Sequence, residues 1–312
     1  MEHTGHPSPL VIAVVGPTAS GKTDLGIAIA EALDLAVLSV DSRQLYRGMD
    51  IGTAKPTTAQ RSRVRHELLD LREPDRPINV QEFSALALGC IDREHARRGI
   101  ALLVGGSGLY LQAITGGIQP PAVPAQPWLR QQLEQLGQPA CHALLGCTDP
   151  ASAARIAPAD AVRTQRALEI HYATGALPSS LRRRTAPPWR LLELGLDPAD
   201  LAGRIRRRTR TMYAAGLLPE TAALLERFGA HCPLLDTIGY GEARRLLAGD
   251  LDLEAAIALS ERRTWQYARR QRTWFRRQHQ PAWLDGPRSD RPTANGADLL
   301  SRALLAINRV LG

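Results

Sequence analysis

Gly16-Pro17-Thr18-Ala19-Ser20-Gly21-Lys22-Thr23 follows the spacing G-x-x-x-x-G-K-[ST]. In that pattern the glycines let the backbone curl so that successive N–H groups point inward, and the lysine ammonium neutralises phosphate oxygens. A helix that starts there adds positive potential. The Thr23 hydroxyl is a candidate ligand for a magnesium ion bridging the phosphates. The motif identifies a bound polyphosphate and leaves the reaction open, since pyrophosphate on a non-nucleotide carrier fits the same cradle. A second reactive group heads the run Asp41-Ser42-Arg43-Gln44. Its carboxylate suits a magnesium ligand, a helix cap, or a general base for a nucleophile brought in by a second substrate. Further along, Arg204 and Arg208 stand four apart, on one face if the segment is helical.

These groups need elements that carry them to one place. Residues 10–15 form a continuous apolar run of buried-strand length, leading through the glycine turn into a helical pattern over 22–33. Residues 36–40 read as a second strand, 80–98 as a helix and 100–104 as another strand. Asp41 then begins where the second strand ends, at the carboxyl edge where open α/β folds bind their ligands. The alternation predicts an α/β fold: a P-loop NTPase-like parallel sheet flanked by helices. From residue 116 prolines enter at 120, 121, 124, 127 and 139, and the chain reads as helical without clear strands up to 188. Arg182-Arg183-Arg184 and Pro187-Pro188 close that segment. A strand at 191–196, helices at 198–215, 219–228, 241–247 and 253–279, a short strand at 282–285 and a helix at 297–310 follow. The expected organisation is a phosphate-loop sheet core of 1–115 and 189–312, interrupted by a helical insertion domain over 116–188.

The chain has 312 residues, room for about two domains. Of its 39 basic residues two are lysine, Lys22 and Lys55, and the rest are arginine, for a net charge of +8. That bias reads mainly as genome composition, with a phosphate-rich partner as the competing explanation. At Lys22 a compact ammonium suits a tight loop in which a planar guanidinium is too bulky. A hydrophobic content of 44% with mixed charge excludes a disordered tail. The N-terminus MEHTGHPSPL carries Glu2 and does not read as a signal peptide. The uncharged stretch 99–129 is broken by glycines and prolines, so it reads as a strand, a turn and a short helix, with no membrane span. The four cysteines form no C-x-x-C pair and read as reduced thiols of a cytoplasmic protein; Cys141, His142 and Cys147 fall short of a four-ligand zinc site.

Eight segments in register resemble the tRNA dimethylallyltransferases (the IPP transferase family). They are GPTASGKT at 16–23, DSRQLY at 41–46, GTAKP at 52–56, HELLD at 66–70, GGSGLY at 105–110, RALE at 166–169, IGYGE at 238–242 and TWQYARRQRTWF at 264–275. The resemblance implies a monomeric, magnesium-dependent enzyme. It would move the dimethylallyl group from dimethylallyl diphosphate to N6 of the adenosine 3′ of a tRNA anticodon, releasing diphosphate. It places the donor's diphosphate in the phosphate loop, Arg208 beside it, and Asp41 as general base. Ser107 stands where the family often has threonine; it keeps the hydroxyl and loses the methyl. Lys55, in GTAKP, becomes a candidate contact. An adenine amino group is a poor nucleophile, so a carboxylate that accepts its proton lowers the barrier, while cations stabilise the charge building on the leaving group. The alternatives are a small-molecule phosphotransferase or ATPase, prenylation of a free adenine nucleotide, and a non-catalytic RNA-binding module.

Seven arginines stand against one glutamate between Ser260 and Gln280. On a helix Arg263, Tyr267, Arg270, Trp274 and Arg277 share one face, and the scarcity of acids in that stretch favours phosphate contact over a merely solvated surface. The resemblance adds Ser42, Arg43 and Gln44, with Arg163, Gln165 and Arg166 of the insertion, as tRNA contacts. Arg130 is a further candidate. An anticodon loop offers bases already partly unstacked, and stacking lost by the target is offset by phosphate contacts.

Overall fold

The computed structural model describes residues 8–121, 123–181, 183–285 and 296–312; the expectations for residues 1–7 and for Arg182 lie outside the described residues. The chain divides into two compact units, one of Met1–Thr115 with Pro188–Gly312 and one of Gly116–Pro187.

The strands in chain order are β1 (Leu10–Val15), β2 (Val37–Val40), β3 (His66–Glu67), β4 (Ile100–Gly105), β5 (Ile118–Gln119), β6 (Arg183–Arg184), β7 (Arg190–Leu196) and β8 (Ala282–Asp285). The larger unit holds a parallel sheet in the order β3-β2-β4-β1-β7-β8. Its helices are α1 (Lys22–Leu33), α2 (Thr58–Arg63), α3 (Val80–Arg98) and α4 (Gly108–Thr115). After the smaller unit's α5 (Pro127–Leu136), α6 (Gln138–Thr148), α7 (Pro150–Ala153) and α8 (Ala161–Thr174) come α9 (Leu201–Ala214), α10 (Leu217–Phe228), α11 (Tyr240–Leu247), α12 (Leu253–Gln278) and α13 (Gly296–Leu311).

β1 lies between β4 and β7, and helices cover both faces of the sheet there, which is why its sequence is apolar throughout. Successive side chains alternate between two cores. Val11, Ala13 and Val15 pack with Phe83 and Ile91 of α3 and Phe275 of α12. Leu10, Ile12 and Val14 pack with Leu25 and Ile29 of α1 and Ile307 of α13. Because the strands run parallel, the loops that follow β1, β2 and β4 emerge at one edge. The uncharged stretch 99–129 becomes β4, α4, β5 and the start of α5, and among the described residues no helix is long and apolar enough to cross a membrane.

The smaller unit departs from the expectation of a segment without strands. β5 and β6 form an antiparallel ladder, Ile118 opposite Arg184 and Gln119 opposite Arg183, too short to leave an alternating pattern in the sequence. Cys141 is a core thiol that donates to the Leu133 carbonyl at 3.1 Å, and among the described residues no group of three His, Cys, Asp or Glu is placed to hold a metal. At the centre stands Glu169, fully buried. Its carboxylate accepts two bonds from Arg130 at 3.0 Å each, one from Arg166 at 2.5 Å and one from the Gln126 N–H at 2.6 Å. Arg130 and Arg166, expected to face RNA, are thus committed to an internal carboxylate, while Arg163 stays exposed beside Asp160 at 3.5 Å. Burial opposes ionisation of Glu169, but the bonds from Arg130, Gln126 and Arg166 outweigh it and hold the carboxyl at about 2.

Removing one member of a buried ion pair leaves the others uncompensated, so Glu169→Ala should destabilise the smaller unit by about 3–5 kcal/mol. Hydrogen exchange in α5 and α8 measures this. Because the folded carboxyl titrates at about 2 and its ordinary value is 4.5, the stabilisation is complete above pH 4.5 and is lost as pH falls toward 2. In Glu169→Gln that acid-sensitive component should vanish.

Candidate functional site

The phosphate loop leaves β1 through a bend that only glycine accommodates. Gly16 has a φ of +145°, and a Cβ there would lie 2.2 Å from the Leu196 carbonyl oxygen at the end of β7. The loop then enters α1, whose first residue is Lys22. The Lys22 ammonium folds back to donate to the Pro17 carbonyl at 2.6 Å. Burial pushes it down to about 7, the nearby Arg208 guanidinium deepens the drop, and the Asp41 carboxylate opposes it. Arg208 reaches in from α9 with Nη1 3.4 Å from the Thr18 hydroxyl. Burial lowers its pKa too, against the pull of Asp41. Two cations and one carboxylate therefore share a desolvated space.

Asp41 follows β2 directly, and its Oδ1 accepts from the Arg43 N–H at 2.8 Å, a local turn that fixes the carboxylate. From the loop after β4, the Ser107 hydroxyl accepts from the Ser42 N–H at 2.9 Å. Ser107 thus orients the Asp41–Ser42 turn. Above them Tyr267 projects from α12. Its hydroxyl is pushed up to about 12 by burial and by the charge of Asp41, with Arg43 and a hydrogen bond to Ser107 acting in the other direction.

Two cavities meet here. One, of about 1040 Å³, runs along the phosphate loop past Lys22, Thr23, Arg204 and Arg208. The other, of about 510 Å³, lies beyond Asp41 against Arg43, Thr237, Ser260 and Arg270. Thr18, Ala19, Asp41, Arg208, Met212 and Tyr267 line both. A diphosphate in the first and a flat polar acceptor in the second would meet at Asp41.

The basic helix α12 needs a correction. Arg263 is paired with Glu242, a fully buried carboxylate on α11, and also donates to the Asp236 carbonyl at 3.3 Å. Arg272 and Arg276 hold Asp197 at 2.6 and 3.0 Å. The acids missing from the helix itself come from elsewhere in the fold, so Arg263 already has an internal role. Arg270 and Arg277 are exposed, pair with no carboxylate of the described residues, and remain free for phosphate; Arg270 lies 5.9 Å over the Tyr267 ring. Gln44 also turns inward, taking a bond from Ser39 at 3.1 Å and donating to the Ala54 carbonyl at 3.1 Å. Arg43 is exposed, and Ser42 and Gln165 are partly so.

Lys55 is enclosed by oxygens. Its ammonium donates to the Tyr46 carbonyl at 2.7 Å, to Asp50 at 2.5 Å and to Asp70 at 2.6 Å, with its side chain 1% exposed. It clamps the loop after β2 and has no donor left for a ligand. Two further residues were not legible as site residues. Glu220 of α10 accepts from the N–H groups of Ile51 and Gly52 and from the Tyr240 hydroxyl at 2.5 Å, fixing the same loop. Gln271 of α12 accepts from the Thr18 N–H and donates to the Gly106 carbonyl, each at 2.8 Å. Gln271 falls in a motif quoted above, its one signal; Glu220 falls in none, although its partner Tyr240 does.

The family model for IPP transferase matches residues 44–278. The tRNA dimethylallyltransferase of Parasynechococcus marenigrum strain WH8102 is 63% identical over 278 residues, covering 89% of this chain and 93% of that protein. That of Synechococcus sp. strain WH7803 is 58% identical, covering 95% of each. Among solved structures, the tRNA isopentenylpyrophosphate transferase of Bacillus halodurans superposes with a TM-score of 0.70 at 34% identity, covering 97% of each chain. A eukaryotic dimethylallyltransferase captured acting on tRNA gives 0.72 at 28% identity, covering 86% of this chain and 70% of that one. With the phosphate cradle, the carboxylate beside it and this match over most of its length, the chain belongs to the IPP transferase family.

Proposed function

We propose that this chain transfers a dimethylallyl group from dimethylallyl diphosphate to N6 of the adenosine 3′ of a tRNA anticodon, releasing diphosphate. The observation that carries the reading is the meeting of the two cavities at Asp41, with Lys22 and Arg208 on the phosphate side and a second cavity lined by Arg43, Thr237, Ser260 and Arg270 on the other. The bond from the allylic carbon to the bridging oxygen breaks as the bond to N6 forms. Asp41 takes the proton released by the amino group. Lys22, Arg208 and the loop N–H groups meet the charge that develops on the departing oxygen, in a site where water is scarce and such interactions are strong. Tyr267 and Met212, at the junction, shield the reacting carbon from water.

A magnesium ion fits the donor set. Among the described residues there is no carboxylate cluster to cage it, and Thr23 lines the cavity beside the phosphate loop. Thr23 would hold such a hard cation through its hydroxyl, alongside substrate phosphates. When bound, it would supply charge neutralisation to the leaving diphosphate. On the RNA side, Arg270 and Arg277 of α12 with Arg43 supply phosphate contacts, and Arg163 of the smaller unit is a further one. Action as a monomer, on a tRNA met in the cytoplasm, belongs to the same reading.

Transfer of labelled dimethylallyl group to tRNA, with free adenine nucleotide in parallel, tests the reading. Label should enter tRNA alone, and Asp41→Ala should lower the rate roughly 10²- to 10⁴-fold, the usual worth of a positioned base. Label in neither acceptor with folded protein rejects it. A second expectation concerns Lys22, which sits at about 7 without ligand. An anion stabilises its protonated form, so the free protein takes up a proton on binding above pH 7. The affinity advantage of wild type over Lys22→Gln for inorganic diphosphate should shrink from pH 7 to pH 9, by up to about tenfold per pH unit. Calorimetry across that range shows this directly. Third, Arg270→Ala and Arg277→Ala should each reduce the salt slope of tRNA affinity by about one, whereas an unchanged slope removes α12 from the RNA interface.

A further inference from the structure

Gln271 is 7% exposed and its carboxamide is used at both ends. Oε1 accepts from the Thr18 N–H and Nε2 donates to the Gly106 carbonyl, both at 2.8 Å. Thr18 belongs to the phosphate loop after β1, and Gly106 to the loop after β4. The two loops also approach directly, the Gly16 carbonyl oxygen lying 3.2 Å from where a Cβ on Gly106 would sit. The fit is close: a Cβ on Gly106 would lie 2.5 Å from Nε2. One residue beyond Gly106, the Ser107 hydroxyl accepts from the Ser42 N–H, beside Asp41. A continuous chain of bonds therefore runs from the phosphate cradle through the Gln271 amide to the turn that presents the carboxylate. Neither a carboxylate nor an alkyl chain can do this, since one end must accept and the other donate.

We infer that Gln271 is a positioning residue for the transfer reaction, setting the distance between the leaving diphosphate and the base at Asp41. This inference rests on the reading that Asp41 is that base. The reacting carbon must sit between the two, and a misplacement of about 1 Å can cost about 10²-fold in rate. The cradle and the carboxylate are each locally held, the first by Gly16 and the second by its own turn. What the bridge adds is their separation. Its loss should therefore leave donor binding nearly intact and fall on the chemical step.

The test uses full-length protein and pre-steady-state or saturating turnover with tRNA and dimethylallyl diphosphate. Gln271→Leu keeps the volume and removes both bonds; kcat should fall about 10²-fold with KM for the donor changed less than about threefold. Gly106→Ala pushes the amide away and should give a similar loss. In the double variant the losses should not multiply, because both act through one bridge. Gln271→Glu provides a readout that packing alone does not move. Its introduced carboxyl restores both bonds only when protonated, and burial raises its pKa. The ratio of its kcat to that of wild type should therefore rise as pH falls from 8 to 6. A Gln271→Leu that lowers the melting temperature while keeping kcat, or raises KM alone, overturns the inference. So does a flat Gln271→Glu ratio, or a double variant whose losses multiply. If Gln271→Leu fails to fold, Gln271→Glu, which retains the size and one acceptor, decides by its pH ratio. Should Asp41→Ala retain full transfer, the assignment of the base fails first, and a low kcat for Gln271→Leu would then have to be explained by another group.

Discussion

Two positive charges are held close together in a place with little water. Lys22 and Arg208 repel each other at the phosphate loop, and burial removes the solvent that would screen them. Asp41 is the one carboxylate that relieves either, and it relieves both. The loop is thus suited to an anion such as a diphosphate, and the Lys22 ammonium also donates to the Pro17 carbonyl. The carboxylate that offsets both cations is the one proposed above as the base. The sheet order, which places the ends of β1, β2 and β4 at one edge, brings these groups together.

A chain with so many arginines must keep most of them from competing with those that bind. It does so by giving arginines internal carboxylates. Glu169 takes Arg130 and Arg166, Glu242 takes Arg263, and Asp197 takes Arg272 and Arg276. These acids are almost wholly buried, so each pair is an element of the fold rather than a surface decoration. What is left exposed and unpaired, such as Arg270 and Arg277, is a smaller set than the sequence suggested. The electrostatic surface offered to an RNA is set by subtraction.

The parts that the sequence makes plain are those written in adjacent residues. The phosphate loop is contiguous, β1 is one unbroken apolar run, and α3 starts and stops where Asn79 caps it and Gly99 turns left-handed, so its limits match the expected 80–98. Boundaries shift where a side chain intervenes: α9 begins at Leu201, not 198, because Asp200 caps the N–H of Gly203. Short pairings such as β5 with β6 leave no periodic trace. Least visible are contacts across great separations. Thr18 and Gln271 are 253 residues apart, and the partner of Arg263 sits on another helix. A helical face shows which residues point together, and says nothing of what another element brings against them.

The oxygen-lined pocket of Lys55 bears on how this chain can evolve. An ammonium offers its three donors radially from a single atom, and the three oxygens around Lys55 converge on such a point. A guanidinium is a flat fork that spreads its donors over several ångströms and has no room there. Of the 39 Lys and Arg residues 37 are arginine, and the two lysines stand where a compact ammonium is met by close oxygens, so an arginine at 55 would have to push those oxygens apart.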